Sequence, residues 1–239
     1  MRTMPVWLVF VCRVIVVALL PLVLTLTNVR LLLTHVFPQI EYSMPGFPDD
    51  PYGLPKADRI KWANLSMDYL VGSQGIEFVR AFRFPAGVTA PPESCVYYLD
   101  GDCNRFYNDR ELQHMLDVKV VLQKVLNFWA LAGILTVLAA GGLFYFHEIS
   151  ALRGALLGGA GVTLVLLVAL VTYLSVDFND FFVQFHGVFF AAGTWTFLFT
   201  DSFIRLFPEK FWEDAFIIIG GGAVLEALAI GAWGWWGLK

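Results

Sequence analysis

The sequence predicts an integral membrane protein that is mainly α-helical, with four transmembrane helices and a small mixed α/β cap on the extracellular side. Hydrophobic residues make up 58% of the chain and charged residues only 15%, whereas soluble domains contain about 25% charged residues. The mean hydropathy is +0.66. Four stretches, at about 5–27, 126–146, 154–175 and 215–236, also reach the roughly 20 mostly apolar residues that a transmembrane helix needs.

The first apolar stretch could be a transmembrane helix or a signal peptide. Arg13 interrupts its apolar run, and LTLTNVR offers no small-x-small cleavage site. We therefore expect an uncleaved helix. The predicted domains are the first transmembrane helix (1–35), the cap (36–113), the second and third transmembrane helices (114–176), an outer interfacial or re-entrant segment (177–211) and the fourth transmembrane helix (212–239).

The cap (residues 36–113) is too poor in apolar residues to span a membrane. Its first part, FPQIEYSMPGFPDDPYGLP, is rich in Pro, Gly and Asp and indicates irregular structure. The stretch PKADRIKWANLSMDYLVG has one apolar face and predicts a short amphipathic helix. FVRAFRFP and VYYLD predict two strands, so we expect the cap to mix helix and strand.

Two cysteines of the cap flank a turn-prone Asp-Gly pair. Cys95 and Cys103 would form a disulfide in an oxidising compartment, and two unpaired thiols are the alternative. The short segments expected on the other side of the membrane carry four cations, which agrees weakly with an external cap by the positive-inside rule. These cations are Arg2, Arg13, Arg153 and Lys239.

Residues 181–200, FFVQFHGVFFAAGTWTFLFT, are long and apolar enough for a fifth span. A fifth span would place the C-terminus outside. We favour an interfacial or re-entrant segment because Gln184, His186 and Gly187 lie near its start, and because Phe and Trp suit the membrane interface. Four spans are the prediction and five the alternative.

Two histidines are expected at the same membrane face, one before an inward helix and one after the helix that returns. His114 lies in NDRELQHMLDVK, where Asn108 and Glu111 form a capping-box-like helix start. Glu111 and Asp117 share a face with His114, and a carboxylate beside an imidazole would prepare it to act as a general base. The alternative is a structural histidine.

The second histidine, His186, lies among phenylalanines in DFNDFFVQFHGVFF. Partial desolvation there would favour the neutral, basic imidazole. Asp177 and Asp180 lie upstream and could orient the ring. An aromatic-stacked interfacial histidine without catalytic function is the alternative.

Several other functions find no support in the sequence. The net charge is −4 and no basic tract is present, so nothing indicates a nucleic-acid partner. The chain has no Gly-x-Ser-x-Gly elbow, and HEISA lacks the second histidine of a zinc-protease helix. Two histidines without a third close ligand make a zinc site weak, and we predict no metal and no cofactor.

Several motifs occur in the order known from one family. ELQHMLDVK before one span, FHGVFFAAGTWTF after the next, DSFIRLFPEKFWEDA before the last and YGLPKADRIKWANLSMDYL in the cap together resemble the bacterial lipoprotein intramolecular transacylase family. The resemblance implies four transmembrane helices under an extracellular cap in the cytoplasmic membrane of a bacterium. It also implies that His114 and His186 are the catalytic residues.

The family's reaction, as the resemblance implies it, moves the sn-2 acyl chain of a diacylglyceryl-modified N-terminal cysteine to the α-amine of that cysteine. The product is a lyso-form lipoprotein. The expected partners are the lipid-modified N-terminus and membrane lipid, with room for other membrane subunits. The predicted supporting residues are Glu111, Asp117, Asp177 and Asp180, and the predicted substrate pocket comprises Phe182, Phe185, Phe189, Trp195 and Arg30.

Two other classes of function stay open at this point. The chain could be a non-catalytic accessory subunit whose aromatic residues contact lipid and partners. It could also be a proton-linked transporter that uses Glu226, Asp177 and the histidines, because an acid inside a membrane span is a functional candidate. Conversion of a diacyl lipopeptide by the purified chain would distinguish the enzyme from both.

Overall fold

The computed structural model describes residues 4–237, and this part of the chain contains ten helices. They are α1 (Val6–Leu32), α2 (Val36–Glu41), α3 (Lys56–Val71), α4 (Ile76–Arg80), α5 (Pro92–Cys95), α6 (Asp109–Tyr145), α7 (Ile149–Val176), α8 (Phe178–Phe189), α9 (Ser202–Leu206) and α10 (Glu209–Trp236). Two of the residues used to predict orientation, Arg2 and Lys239, lie outside the described part.

Four of these helices, α1, α6, α7 and α10, are long and apolar enough to cross a membrane. Their number confirms the prediction of four spans. Helix α6 has 37 residues, so at 1.5 Å per residue it is about 55 Å long, well beyond the roughly 30 Å of a hydrocarbon core. Residues 181–200 form no long helix, because α8 ends at Phe189 and a non-helical stretch follows.

The chain divides into two compact units. Unit 1 comprises residues up to 31, 125–181 and from 217 onward. Its core consists mostly of small and aliphatic side chains, as close packing between helices inside a membrane requires. Cys12 lies in this core with Val16 and Leu143.

A polar contact joins α1 and α10 inside unit 1. Asn28 Nδ2 donates a hydrogen bond to Glu226 Oε2 at 3.1 Å, and Asn28 is buried. Gly222 makes room for this contact, because a Cβ atom at that position would overlap the Asn28 side-chain amide. Glu226 therefore has a local partner on a neighbouring helix.

Unit 2 comprises residues 32–124 and 182–216. Its core is rich in aromatic residues and draws on the cap, on the start of α6 and on α9. Helix α3 forms where the amphipathic pattern predicted it. Ala63, Met67 and Leu70 of its predicted apolar face are buried, so the burial of that face accounts for the helix.

The prediction of a mixed α/β cap is wrong, because the described part of the cap contains helices and turns but no strand. The first half of FVRAFRFP belongs to α4, and VYYLD follows α5 as turns. One isolated bridge among the described residues pairs Arg83 of FVRAFRFP with Arg105, which lies beyond VYYLD. The Phe84 amide donates to the Asn104 carbonyl oxygen, but the Asn104 amide donates to Asp102 Oδ1 instead of returning the bond, so the pairing does not extend into strands.

A disulfide, an ion pair and a pair of hydrogen bonds hold unit 2 together. Cys95 and Cys103 form a disulfide with their Cα atoms 5.4 Å apart. Arg205 Nε of α9 pairs with Asp50 Oδ1 of the cap at 2.8 Å, and both side chains are buried. Arg59 of α3 donates two hydrogen bonds to the Arg205 carbonyl oxygen. The irregular cap entry and α9 are therefore fixed to the same core.

Candidate active site

The start of α6 places the first histidine, and a buried hydrogen-bond network fixes that start. The Glu111 amide donates to Asn108 Oδ1 at 3.0 Å, while the Asn108 amide donates to Glu111 Oε2 at 2.7 Å. This is the reciprocal capping box that the sequence predicts. The other carboxylate oxygen of Glu111 accepts from the backbone amide of Phe203, so one side chain joins the starts of α6 and α9.

A second carboxylate, Asp201, joins the same two helix starts. It is fully buried and accepts hydrogen bonds from Asn108 Nδ2 at 3.0 Å, from the Leu198 amide at 2.8 Å and from Arg110 at 3.0 Å. These hydrogen bonds of Asp201 therefore hold the starts of α6 and α9 in place within unit 2.

His114 lies one turn further along α6, with only 2% of its surface exposed. Three phenylalanines surround its ring edge to face, at centroid distances of 5.0 Å for Phe190, 5.3 Å for Phe197 and 5.4 Å for Phe203. Its Nδ1 atom is buried and has no hydrogen-bond partner among the described residues. Burying a nitrogen without a hydrogen-bond partner costs free energy, unless a substrate group forms a hydrogen bond with it.

His186 lies on α8, and its surroundings fix its tautomer. Its Nδ1 atom is 2.7 Å from the Phe182 carbonyl oxygen. A carbonyl can only accept, so Nδ1 carries the proton and Nε2 keeps its lone pair. Burial lowers the pKa of His186 and outweighs the hydrogen bond to Phe182, which acts in the opposite direction. His186 is therefore held as a neutral base.

The two imidazoles face each other, with ring centroids 6.3 Å apart and planes inclined by 26°. A group that transfers a proton must come within about 2.6–3.2 Å of its partner atom. The centroid separation of 6.3 Å is short enough for one bound molecule to contact both rings. The pair therefore suits proton transfer on a single substrate molecule.

The structure brings together part of the predicted substrate pocket. The rings of Phe182, Phe185 and Trp195 contact the His186 ring at centroid distances of 4.0, 5.6 and 4.9 Å, and Phe189 packs on Phe185 at 5.0 Å. Phe185 and Phe189 are also about two-fifths exposed. They leave an apolar surface beside the imidazoles.

The predicted supporting carboxylates have other partners. Glu111 binds backbone amides, as described above, and Asp117 accepts a hydrogen bond from Gln113 at 3.0 Å. Asp177 accepts from the amide of Asp180, and Asp180 accepts from the Tyr173 hydroxyl at 2.7 Å, all within unit 1. Arg30 lies in the last turn of α1, also in unit 1. Between residues 4 and 237, no three His, Cys, Asp or Glu side chains cluster as a metal site would require.

Four residues of the site were not predicted as members of it: Phe190, Phe197, Asp201 and Phe203. All four lie after α8, where the chain turns back toward the start of α6 in unit 2. The one local signal is Asp201, an acidic residue placed as the N-cap of a short helix. No sequence periodicity links it to Asn108, 93 residues earlier.

Comparison with known proteins gives one family and one fold. Residues 14–212 match the family model described as lipoprotein intramolecular transacylase Lit. An uncharacterized protein of Aquifex aeolicus (strain VF5) is 27% identical over 205 residues, which cover 86% of this chain and 84% of the relative.

Solved structures of the membrane integral lipoprotein intramolecular transacylase Lit from Bacillus cereus are similar in fold. One aligns with a TM-score of 0.72 at 17% identity and covers 94% of this chain and 93% of its own. A histidine-to-arginine variant of that protein aligns with a TM-score of 0.68 at 16% identity, over 95% and 91% of the two chains.

Proposed function

Because the chain belongs to the lipoprotein intramolecular transacylase (Lit) family and is an acyltransferase, we propose that it moves the sn-2 acyl chain of a diacylglyceryl-modified N-terminal cysteine to that cysteine's α-amine, giving a lyso-form lipoprotein. The observation that carries the proposal is the pair of facing imidazoles, 6.3 Å between ring centroids. The family assignment favours this enzyme over an accessory subunit or a proton-linked transporter.

In the proposed reaction His186 is the proton carrier. Its Nε2 lone pair takes a proton from the α-amino group of the substrate while that amino nitrogen attacks the ester carbonyl carbon. A C–N bond forms, the C–O bond to glycerol breaks, and His186 returns the proton to the departing glyceryl oxygen. His114 offers its unpartnered Nδ1 to the substrate from the opposite side. No Ser or Cys is needed as a nucleophile.

The ester that donates the acyl chain and the amine that accepts it belong to one molecule, so the protein does not have to bind a second substrate. Holding both ends in attack geometry can contribute about 7–11 kcal/mol in favourable intramolecular reactions. The aromatic residues around the imidazoles supply a confined site for this geometry, and the exposed faces of Phe185 and Phe189 suit contact with an acyl chain.

The proposal includes the surroundings of the site. The protein lies in the cytoplasmic membrane of a bacterium, with the cap and both histidines on the outer side, and residues 177–211 lie at that interface. Its partners are the modified lipoprotein N-terminus and membrane lipid, and other membrane subunits are compatible with it. A disulfide between Cys95 and Cys103 supports an oxidising location for the cap.

The test is conversion of a synthetic diacylglyceryl-cysteine lipopeptide by the purified chain. The product has the same mass as the substrate, so fragmentation must locate the acyl chain on the amine. His114→Ala and His186→Ala should each lower the rate by about 10²–10⁴-fold. His35→Ala is the matched control, because His35 is half exposed and pairs with Asp68 at the surface. Full activity in both variants would contradict the assignment of the site.

A further inference from the structure

We propose that the indole N–H of Trp195 donates a hydrogen bond to the acyl carbonyl oxygen of the substrate and stabilises the negative charge that develops there. This inference rests on the proposed function and deepens it. It adds a third chemical group to the site, a donor for the oxyanion, beside the two imidazoles.

The position of Trp195 is the first observation. It lies in the non-helical stretch after α8, two residues beyond Gly193, whose φ of +82° belongs to the left-handed region that favours glycine. This turn leads the chain back, so that the indole ring packs on the His186 ring at a centroid distance of 4.9 Å and an inclination of 34°. The donor and the proposed base therefore share one side of the site.

The state of the indole nitrogen is the second observation. Nε1 of Trp195 is buried and has no hydrogen-bond partner among the described residues. Leaving such a donor unpaired in a buried position is unfavourable. Because an indole nitrogen can only donate, the missing partner must be an acceptor. Among the described residues, neither nitrogen of the His186 ring bonds to Trp195 Nε1; the hydrogen bond of that ring is with the Phe182 carbonyl oxygen.

The substrate supplies the required acceptor. Attack of the amine on the ester carbonyl carbon moves an electron pair onto the carbonyl oxygen, and the pair returns when the C–O bond to glycerol breaks. The hydrogen bond from Trp195 strengthens as this charge develops, so it lowers the barrier more than it tightens ground-state binding. His186 handles the proton throughout, and no further reactant is needed.

An unpaired indole alone would not identify such a donor. Nε1 of Trp62 is also buried without a partner, but this ring stacks on Phe82 and Phe106 in the core of the cap. Among the described ring contacts it has none with a histidine. Trp62 therefore provides a control with the same unpaired donor outside the site.

The experiment compares Trp195→Phe and Trp62→Phe with the wild-type protein in the lipopeptide assay. Loss of one oxyanion donor typically lowers kcat by about 10²–10³-fold, and we expect a decrease of this size for Trp195→Phe with little change in KM. The unfolding temperature should stay the same or rise, because the substitution removes an unsatisfied buried donor. Trp62→Phe should keep wild-type kcat.

A second variant separates the N–H from the size of the ring. Replacing Trp195 with 3-benzothienylalanine keeps the bicyclic shape and puts sulfur in place of N–H, so kcat should fall as in Trp195→Phe. Wild-type kcat in the benzothienyl variant would overturn the inference and leave Trp195 as a wall of the pocket. A wild-type protein without transacylase activity would instead overturn the proposed function itself.

Discussion

The Nδ1 atom of His186 donates a hydrogen bond to the Phe182 carbonyl oxygen one helical turn earlier, at 2.7 Å. The backbone therefore replaces the carboxylate that orients the histidine in many acid–base sites. The bond fixes the tautomer without adding a negative charge that would raise the pKa of the ring. The neutral form of His186 is consequently favoured, and its imidazole is a weaker base than a carboxylate-paired one.

The pH dependence of the reaction should reflect this arrangement. Burial lowers the pKa of His186 from its ordinary value of 6.5, and only the neutral form can accept a proton. The rising limb of kcat/KM against pH should therefore have its midpoint below 6.5. A midpoint above 6.5 for an apparent pKa that disappears in His186→Ala would contradict the neutral-base assignment.

The buried carboxylate Asp201 should matter for both stability and rate. Asp201→Asn removes the charge that pairs with Arg110 and one acceptor of the network. We therefore expect the free energy of unfolding to fall by about 1–3 kcal/mol and the unfolding temperature to fall with it. The rate should fall as well, because the network positions Phe203 against His114. Asp102→Asn is the control, since its pair with Arg83 is exposed and long, at 3.7 Å, and such pairs contribute at most about 1 kcal/mol.

A buried carboxyl group in the cap should make stability depend on pH. Burial and a hydrogen bond to the nearby Asp214 carboxylate raise the pKa of Glu41 to about 7, although Lys210 opposes the shift. Because the folded state favours the protonated form, this contribution to stability is complete below the ordinary carboxyl pKa of about 4.5 and is lost as the pH rises through about 7.

Glu41→Gln should therefore flatten the pH dependence of the unfolding temperature in this window and raise that temperature above pH 7. Glu77→Gln, at an exposed position in α4, is the control and should leave the pH profile unchanged. An unchanged profile in Glu41→Gln would show that the pH dependence arises elsewhere.

The proposed orientation can be tested with single cysteines at exposed positions. Leu99 in the cap is 87% exposed, and Phe199 in the segment after α8 is 86% exposed. In a Cys12→Ser background, Leu99→Cys and Phe199→Cys should react with an impermeant maleimide added to intact cells. Ser150→Cys, in the first turn of α7, should react only after lysis. Labelling of Phe199→Cys only after lysis would favour the five-span topology.

The parts of this protein that local sequence determines were predictable. Length and apolarity define α1, α6, α7 and α10, and the Asn108–Glu111 box marks the start of α6. Both histidines were identified because each lies in a dense polar or aromatic motif beside an apolar stretch, and the structure places them face to face.

The parts that depend on distant contacts were not predictable. Glu111 and Asp117 share a helix face with His114, yet their hydrogen bonds go to backbone amides and to Gln113. Helical spacing shows which side chains of one helix lie close together. It does not show which groups from other segments form hydrogen bonds with them. The strand predictions failed for a related reason, because Phe82 and Phe84 find their burial in an aromatic core rather than in a sheet.

Gly220, Gly221 and Gly222 look equivalent in the sequence, but the space around them in the structure differs. A Cβ atom at either of the first two would meet nothing within 4 Å, whereas one at Gly222 would overlap the Asn28 amide that holds Glu226. In a mutational library, alanine should be accepted at the first two positions and eliminated at the third. Among diverging relatives, a larger residue at position 222 should be accompanied by a smaller one at position 28. The two positions should therefore covary.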